Sequence, residues 1–176
     1  MRVTLAAAVL AVAMAAAAQA QQVTKETVPG ITNFSRVQTT IACAGAVEVS
    51  AVPDIKKLGF NSIINLRQAS EQGANIEAST AAAKTAGLNY VHIPFNAQAP
   101  DPNLVPAFLA AVTAPANQPV FVHCAGAGRA AAMWMIKRMQ VDGWDQQKAG
   151  EEAAALGLAN DRLKQFAVDW VATHKK

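Results

Sequence analysis

The chain has 176 residues, 15 basic and 12 acidic side chains for a formal charge of +3, and a hydrophobic content of 52%. That size and content suit one domain around one core, and the scattered charges argue against nucleic acid as a partner. Two cysteines are too few for a disulfide framework, three histidines without ligand spacing predict no metal site, and no cofactor is expected.

In chain order, Met1-Arg2 is a short basic start and Leu5 to Ala18 is unbroken apolar sequence. Ala18-Gln19-Ala20 then offers small residues where a signal peptidase reads, so residues 1–20 are expected to be a signal peptide cut after Ala20. As a helix that run would span about 21 Å, short of the ~30 Å hydrocarbon core, so no stable membrane anchor is expected. The mature protein is accordingly predicted to be periplasmic or secreted. Gln21 to Ser35 is polar, carries Pro29-Gly30 and reads as an N-terminal arm, with the folded domain running from 36 to 176.

Four short apolar segments have strand composition: Thr39 to Cys43, Ser62 to Leu66, Tyr90 to Ile93 and Val120 to His123. Helical patterns alternate with them at Val52 to Leu58, Asn75 to Ala86 and about Leu104 to Val112, two of them closed by Gly59 and Gly87. The alternation predicts an α/β fold, a central and mainly parallel sheet of four to five strands with helices on both faces. The last third is helical. Arg129 to Met139 is apolar on nearly every side, Asp145 can cap the next helix, and Asn160 or Asp161 opens a final one. In that last helix Leu163, Phe166, Ala167, Trp170 and Val171 form a core stripe.

The chemistry concentrates in one loop, His123-Cys124-Ala125-Gly126-Ala127-Gly128-Arg129, between the apolar strand Val120-Phe121-Val122 and a buried helix. The first amides of a helix lack helical partners and its dipole is positive there, so an anion is favoured. Gly126 and Gly128 permit backbone angles that turn successive N–H groups inward, which makes Ala125, Gly126, Ala127, Gly128 and Arg129 the expected phosphate-binding set. The Arg129 fork can grip two oxygens of a tetrahedral anion. The same field favours the Cys124 thiolate, the form that acts as a nucleophile.

The loop resembles the signature loop of the tyrosine and dual-specificity phosphatases. Gly59 to Arg67 and Tyr90 to Phe95 are similar to the second and third strands of that fold, and the likeness runs from about Arg36 to Trp170. It is nearest to the bacterial beta-lactamase-hydrolase-like phosphatase domains, which share a shortened loop. The resemblance implies a phosphorylated substrate, protein or small molecule, hydrolysed through a phosphocysteine. Two features depart from the ordinary pattern. Four residues rather than five separate Cys124 from Arg129, a spacing that rhodanese-type sulfurtransferases also use, and Ala130 stands where a hydroxyl usually assists the second step. Phosphate monoester hydrolysis, sulfur transfer through a Cys124 persulfide, and non-catalytic binding of a phosphorylated ligand therefore all remain open.

Hydrolysis would need a proton donor for the leaving oxygen. Asp101 is the only carboxylate between Glu77 and Cys124, and it lies in the loop after the third predicted strand. It can alternatively cap a helix before Pro102, although Pro106 moves the expected start towards Asn103 and leaves Asp101 in the loop. His123 is expected to buttress the loop by hydrogen bonds and to help keep Cys124 ionised. His92 and His174 read as structural or solvated, and Arg67 and Glu71 as solvated loop residues or substrate contacts. A Cys43 to Cys124 bridge would shield the nucleophile, with a buried Cys43 thiol as the alternative.

Overall fold

A computed structural model describes residues 23–37 and 39–174; the expected signal peptide lies outside them. Six strands form one sheet: β1 (Val23–Lys25), β2 (Ser35–Val37), β3 (Ile41–Ala44), β4 (Ser62–Asn65), β5 (Asn89–His92) and β6 (Val120–His123). Their order is β1-β2-β3-β6-β4-β5, antiparallel from β1 to β3 and parallel from β3 to β5.

Successive side chains on a strand point to opposite faces, and the pairing carries this alternation across the sheet. Ala42, Phe121 and Ile63 align on one face and pack with Phe34, Phe60, Val52 and Ile55 of α1 (Val52–Lys57) and Ala83 of α2 (Ile76–Thr85). Cys43, Val122 and Ile64 align on the other, beneath α3 (Val105–Thr113), α4 (Gly128–Gln140), α5 (Gln146–Ala155) and α6 (Asp161–Thr173). The result is the three-layer α/β arrangement expected from the alternating pattern. Among the described residues no helix is long and apolar enough to cross a membrane.

The sheet is larger than the expected four to five strands because the segment read as an arm is built into it. β1 adds to the edge, and Ile31 and Phe34 are 6% and 2% exposed within the core. The segment's large apolar residues, Val23, Val28, Ile31 and Phe34, are scattered among polar neighbours and give no period to detect. The caps hold as read: Asp145 accepts from the Lys148 amide at 2.8 Å, and Asn160 from that of Leu163 at 3.1 Å.

α4 is the central helix, buried continuously from Arg129 to Ile136. At its far end Arg138 is buried and donates to both oxygens of Glu152 on α5, at 2.7 and 3.1 Å, and the Trp134 indole N–H donates to Glu152 at 2.7 Å. Removing Glu152 leaves the buried Trp134 indole N–H without its acceptor and takes a carboxylate from Arg138, which keeps Asp142 at 2.9 Å. Glu152→Ala is therefore expected to lower unfolding free energy by about 3 kcal/mol, read by urea denaturation.

Candidate active site

The parallel strands end at a common edge, and backbone hydrogen bonds carry the alignment past their ends. The Leu66 amide donates to His123 O at 2.9 Å, that of Cys124 to Ala44 O at 3.1 Å, and that of Ile93 to Asn65 O at 2.9 Å. The segments after β3, β4, β5 and β6 therefore leave side by side. Cys124 sits at this edge, 2% exposed, with α4 beginning four residues later.

From Ala125 to Ala130 none of the backbone N–H groups has an acceptor among the described residues; the first such bond of the helix is Ala131 to Ala127 O at 2.9 Å. Consecutive free donors at a helix N-terminus form an anion nest, as the sequence led us to expect. The turn itself is made differently. Neither Gly126 nor Gly128 takes a left-handed φ; Ala127 does, at +79°, as the N-cap of α4. A left-handed step costs a non-glycine residue about 1–2 kcal/mol, and the surroundings hold it in place. On one side Gly45 bridges to Gly126, and the Ala46 amide donates to Ala125 O at 3.0 Å. On the other, Ala127 faces Gly157, where an added Cβ would lie 3.1 Å from its own. Asn33, itself left-handed at φ +49°, donates from Nδ2 to Gly126 O at 3.4 Å.

Arg129 is 8% exposed, and its outer edge is fully engaged. Nη1 donates to Glu71 Oε1 at 2.6 Å, Phe95 O at 2.9 Å and Leu66 O at 3.2 Å, while Nη2 donates to Glu71 Oε2 at 2.7 Å. That leaves the Nε–H and one Nη2–H, on the inner edge, to meet an oxyanion; the guanidinium also reaches Cys124. Glu71 is thus neither a solvated residue nor a substrate contact. It fixes the arginine, and is itself held by the Gln68 amide at 2.8 Å and by Arg67 Nε at 3.3 Å. These partners, with the Arg129 hydrogen bonds foremost, hold its carboxyl near 2 instead of 4.5. Arg67 is buried and donates to the Gln72 and Gly73 carbonyls, so it organises the loop around Glu71.

His123 lies against the loop, and burial, and then the charge of Arg67, push it down to about 4 in spite of hydrogen bonding to the Gly45 and Cys124 backbone, so it is neutral at physiological pH and adds no positive charge beside Cys124. Its Nδ1 is buried with no hydrogen-bond partner among the described residues. The nearby positive charge is that of Arg129.

Asp101 is not free in its loop. It is exposed and caps a 3-10 turn, Pro102–Leu104, accepting from both the backbone and the side chain of Asn103 at 2.9 Å. Two prolines are accommodated by two successive short helices, with Pro102 opening the turn and Pro106 in the first turn of α3. His92 binds the Arg67 carbonyl at 2.7 Å and His174 stacks on Trp170, both structural. Cys43 and Cys124 are both free thiols. Burial, and then the proximity of Cys124, push the Cys43 thiol up, as suits a packed side chain. Among the described residues no three His, Cys, Asp or Glu side chains group to hold a metal ion.

Against known proteins, the profile of the family described as beta-lactamase hydrolase-like protein, phosphatase-like domain, matches residues 33–141. The beta-lactamase hydrolase-like protein of Agrobacterium fabrum is 32% identical over 107 residues, 57% of this chain and 24% of that protein. The chain therefore spans about a quarter of that relative's length. Among solved structures, P. aeruginosa TpbA superposes with TM-score 0.63 at 22% identity, covering 86% of this chain and 89% of that one. The catalytic core of the S. cerevisiae PP-IP phosphatase Siw14 gives 0.64 at 21%, covering 81% and 87%. These likenesses establish a tyrosine and dual-specificity phosphatase fold.

Two expectations follow from the geometry. A Cβ on Gly45 would run into the Thr32 hydroxyl and stand 2.9 Å from Ala125 O, closer than such contacts occur, so Gly45→Ala is expected to push the strand end and the loop apart. Its affinity for inorganic phosphate, measured by calorimetry, is expected to fall about tenfold through lost charge-assisted hydrogen bonds. For Glu71, whose carboxyl is lowered from 4.5 to about 2, the stabilisation is complete above pH 4.5 and is lost as pH falls towards 2. The stability advantage of wild type over Glu71→Gln, followed by denaturant unfolding, is expected to shrink across that window.

Proposed function

Because the chain belongs to the family of phosphatase-like domains of beta-lactamase hydrolase-like proteins, we propose that it hydrolyses phosphate monoesters with Cys124 as nucleophile. The observation that carries this reading is the run of unpaired amides from Ala125 to Ala130, closed by the inner edge of Arg129 around the Cys124 thiol. A phosphoryl group docked there has three oxygens on N–H donors and its phosphorus facing sulfur. The Cys124 thiolate forms an S–P bond as the P–O bond to the leaving group breaks, and Asp101 supplies the proton that the departing oxygen takes up. Water then attacks phosphorus, giving a proton to the Asp101 carboxylate, the S–P bond breaks to return the Cys124 thiolate, and inorganic phosphate leaves. Ala130 offers no hydroxyl to the departing thiolate, which makes the second step the slower one.

Phosphorylated proteins and small phosphate esters both fit the chemistry. TpbA has been solved with phosphotyrosine in a cysteine-to-serine variant and the Siw14 core with citrate, both anionic ligands. Action outside the cytoplasm, after removal of residues 1–20, is part of the same proposal; intact mass of exported protein beginning at Gln21 supports it and retention of Met1 overturns it. Sulfur transfer is the second reading, favoured by the four-residue spacing between Cys124 and Arg129.

An aryl phosphate assay beside a thiosulfate and cyanide assay separates the two. Wild type is expected to release phosphate, with Cys124→Ser lower by about 10³-fold or more. Thiocyanate formation without phosphate release selects sulfur transfer, and equal hydrolysis by Cys124→Ser removes the mechanism.

A further inference from the structure

The loop from Asn96 to Asp101 leaves the active site directly, since the carbonyl of Phe95 is one of the three acceptors of Arg129 Nη1. Within the loop the Gln98 amide donates to Asn96 Oδ1 at 2.9 Å, and among the described residues no strand pairs with this stretch. Its fixed points come instead from one line of side chains on α6. Arg162, Phe166 and Trp170 are four residues apart, so they share a helix face. Phe166 packs on Phe95 with ring centroids 5.5 Å apart, Arg162 Nη1 donates to Gln98 O at 3.0 Å, and the Trp170 indole N–H donates to Pro102 O at 3.2 Å. The loop is thus pinned before, within and after, and Asp101 lies between the last two pins.

Phe166 and Trp170 belong to the core and its margin, as an amphipathic helix requires. Arg162 does not. It is exposed and stands in the first turn of α6, where the helix dipole disfavours a cation. Its place is explained by the loop carbonyl that it binds, in a segment whose only carboxylate is Asp101.

We propose that Arg162 is a positioning residue that holds the Asp101 loop in register with the Cys124 site, so that the departing oxygen is protonated as its bond to phosphorus breaks. This rests on the reading of the protein as a phosphatase with Asp101 as proton donor. Arg162 touches neither substrate nor thiolate; its effect passes through Gln98.

A donor matters most when the leaving oxygen is strongly basic. The mature protein is assayed on phenyl phosphate and on 2,4-dinitrophenyl phosphate, whose phenolate leaves without a proton. Arg162→Ala is expected to lower kcat/KM about tenfold on the phenyl ester and less than about twofold on the dinitrophenyl ester, with Arg162→Lys recovering most of the loss. Asp101→Asn is expected to show the same selectivity, larger, at about a hundredfold. A purely structural defect would lower both esters alike. Equal loss on both esters, or no loss, in a folded Arg162→Ala protein overturns the role of Arg162 while a selective Asp101→Asn effect upholds the donor. A non-selective Asp101→Asn overturns the donor and this proposal with it. Failure of wild type to hydrolyse either ester overturns the phosphatase reading.

Discussion

The bidentate pair between Arg129 and Glu71 is the contact through which the candidate site is assembled. A guanidinium has five N–H groups in a rigid plane, and spending the outer ones decides where the inner ones point. Glu71 and the carbonyls of Leu66 and Phe95 take the outer edge, so the plane is fixed before any ligand arrives. The same pair joins three segments that are distant in the chain: the loop after β4, the start of the loop after β5, and the first turn of α4. Partly withdrawing two charges from water is costly, and here the cost is offset because each oxygen of Glu71 has more than one donor. The carboxylate balances the arginine without occupying the edge that a substrate would use.

The catalytic loop is held by a different means, close backbone approach. Gly45 and Gly157 flank it on either side at distances that exclude or crowd a side chain, and the left-handed Ala127 sits against the second of them. The amides from Ala125 to Ala130 meet no carbonyl among the described residues. Preorganisation here means that donors are already oriented when charge develops on the phosphoryl oxygens. His123, neutral and buried, contributes packing beneath this loop and no charge.

Much of this was legible in the sequence. The four parallel strands announced themselves as short apolar runs, and the strand-to-helix passage through His123-Cys124 to Arg129 located the anion site because each residue type there has a local physical reason. What escaped was contact between remote segments. Glu71 sits among polar loop residues, and nothing in its neighbourhood reveals an arginine that is 58 positions away. Nothing local marks Gly45, since its constraints are Thr32 and the Ala125 carbonyl, both remote in sequence. The glycines at 126 and 128 invited the left-handed turn by composition, whereas the geometry of the helix entrance placed it on Ala127. Asp101 reads as loop when Pro102 and Pro106 have to fit the start of one helix; the chain gives each its own, a 3-10 turn and α3. The first strands were hidden because they are three residues long and set in polar sequence, with burial spread over Ile31, Phe34, Ser35 and Val37 at no regular period.

The crowding around Ala127 bears on how such a loop changes over generations. Its length is a joint possession of the segments that close on it: the end of β3 at Gly45, the start of α6's approach at Gly157, and the N-terminal turn at Asn33. Only the inner half of the loop is walled in, at Ala127 and Gly128 against Gly157, whereas Ala125 and Gly126 are exposed with open space beside Gly126, so an inserted residue has room only on that outer side. A loop transplanted from a five-spaced relative would therefore have to carry its extra residue at the exposed Ala125–Gly126 side and keep the turn that packs on Gly157.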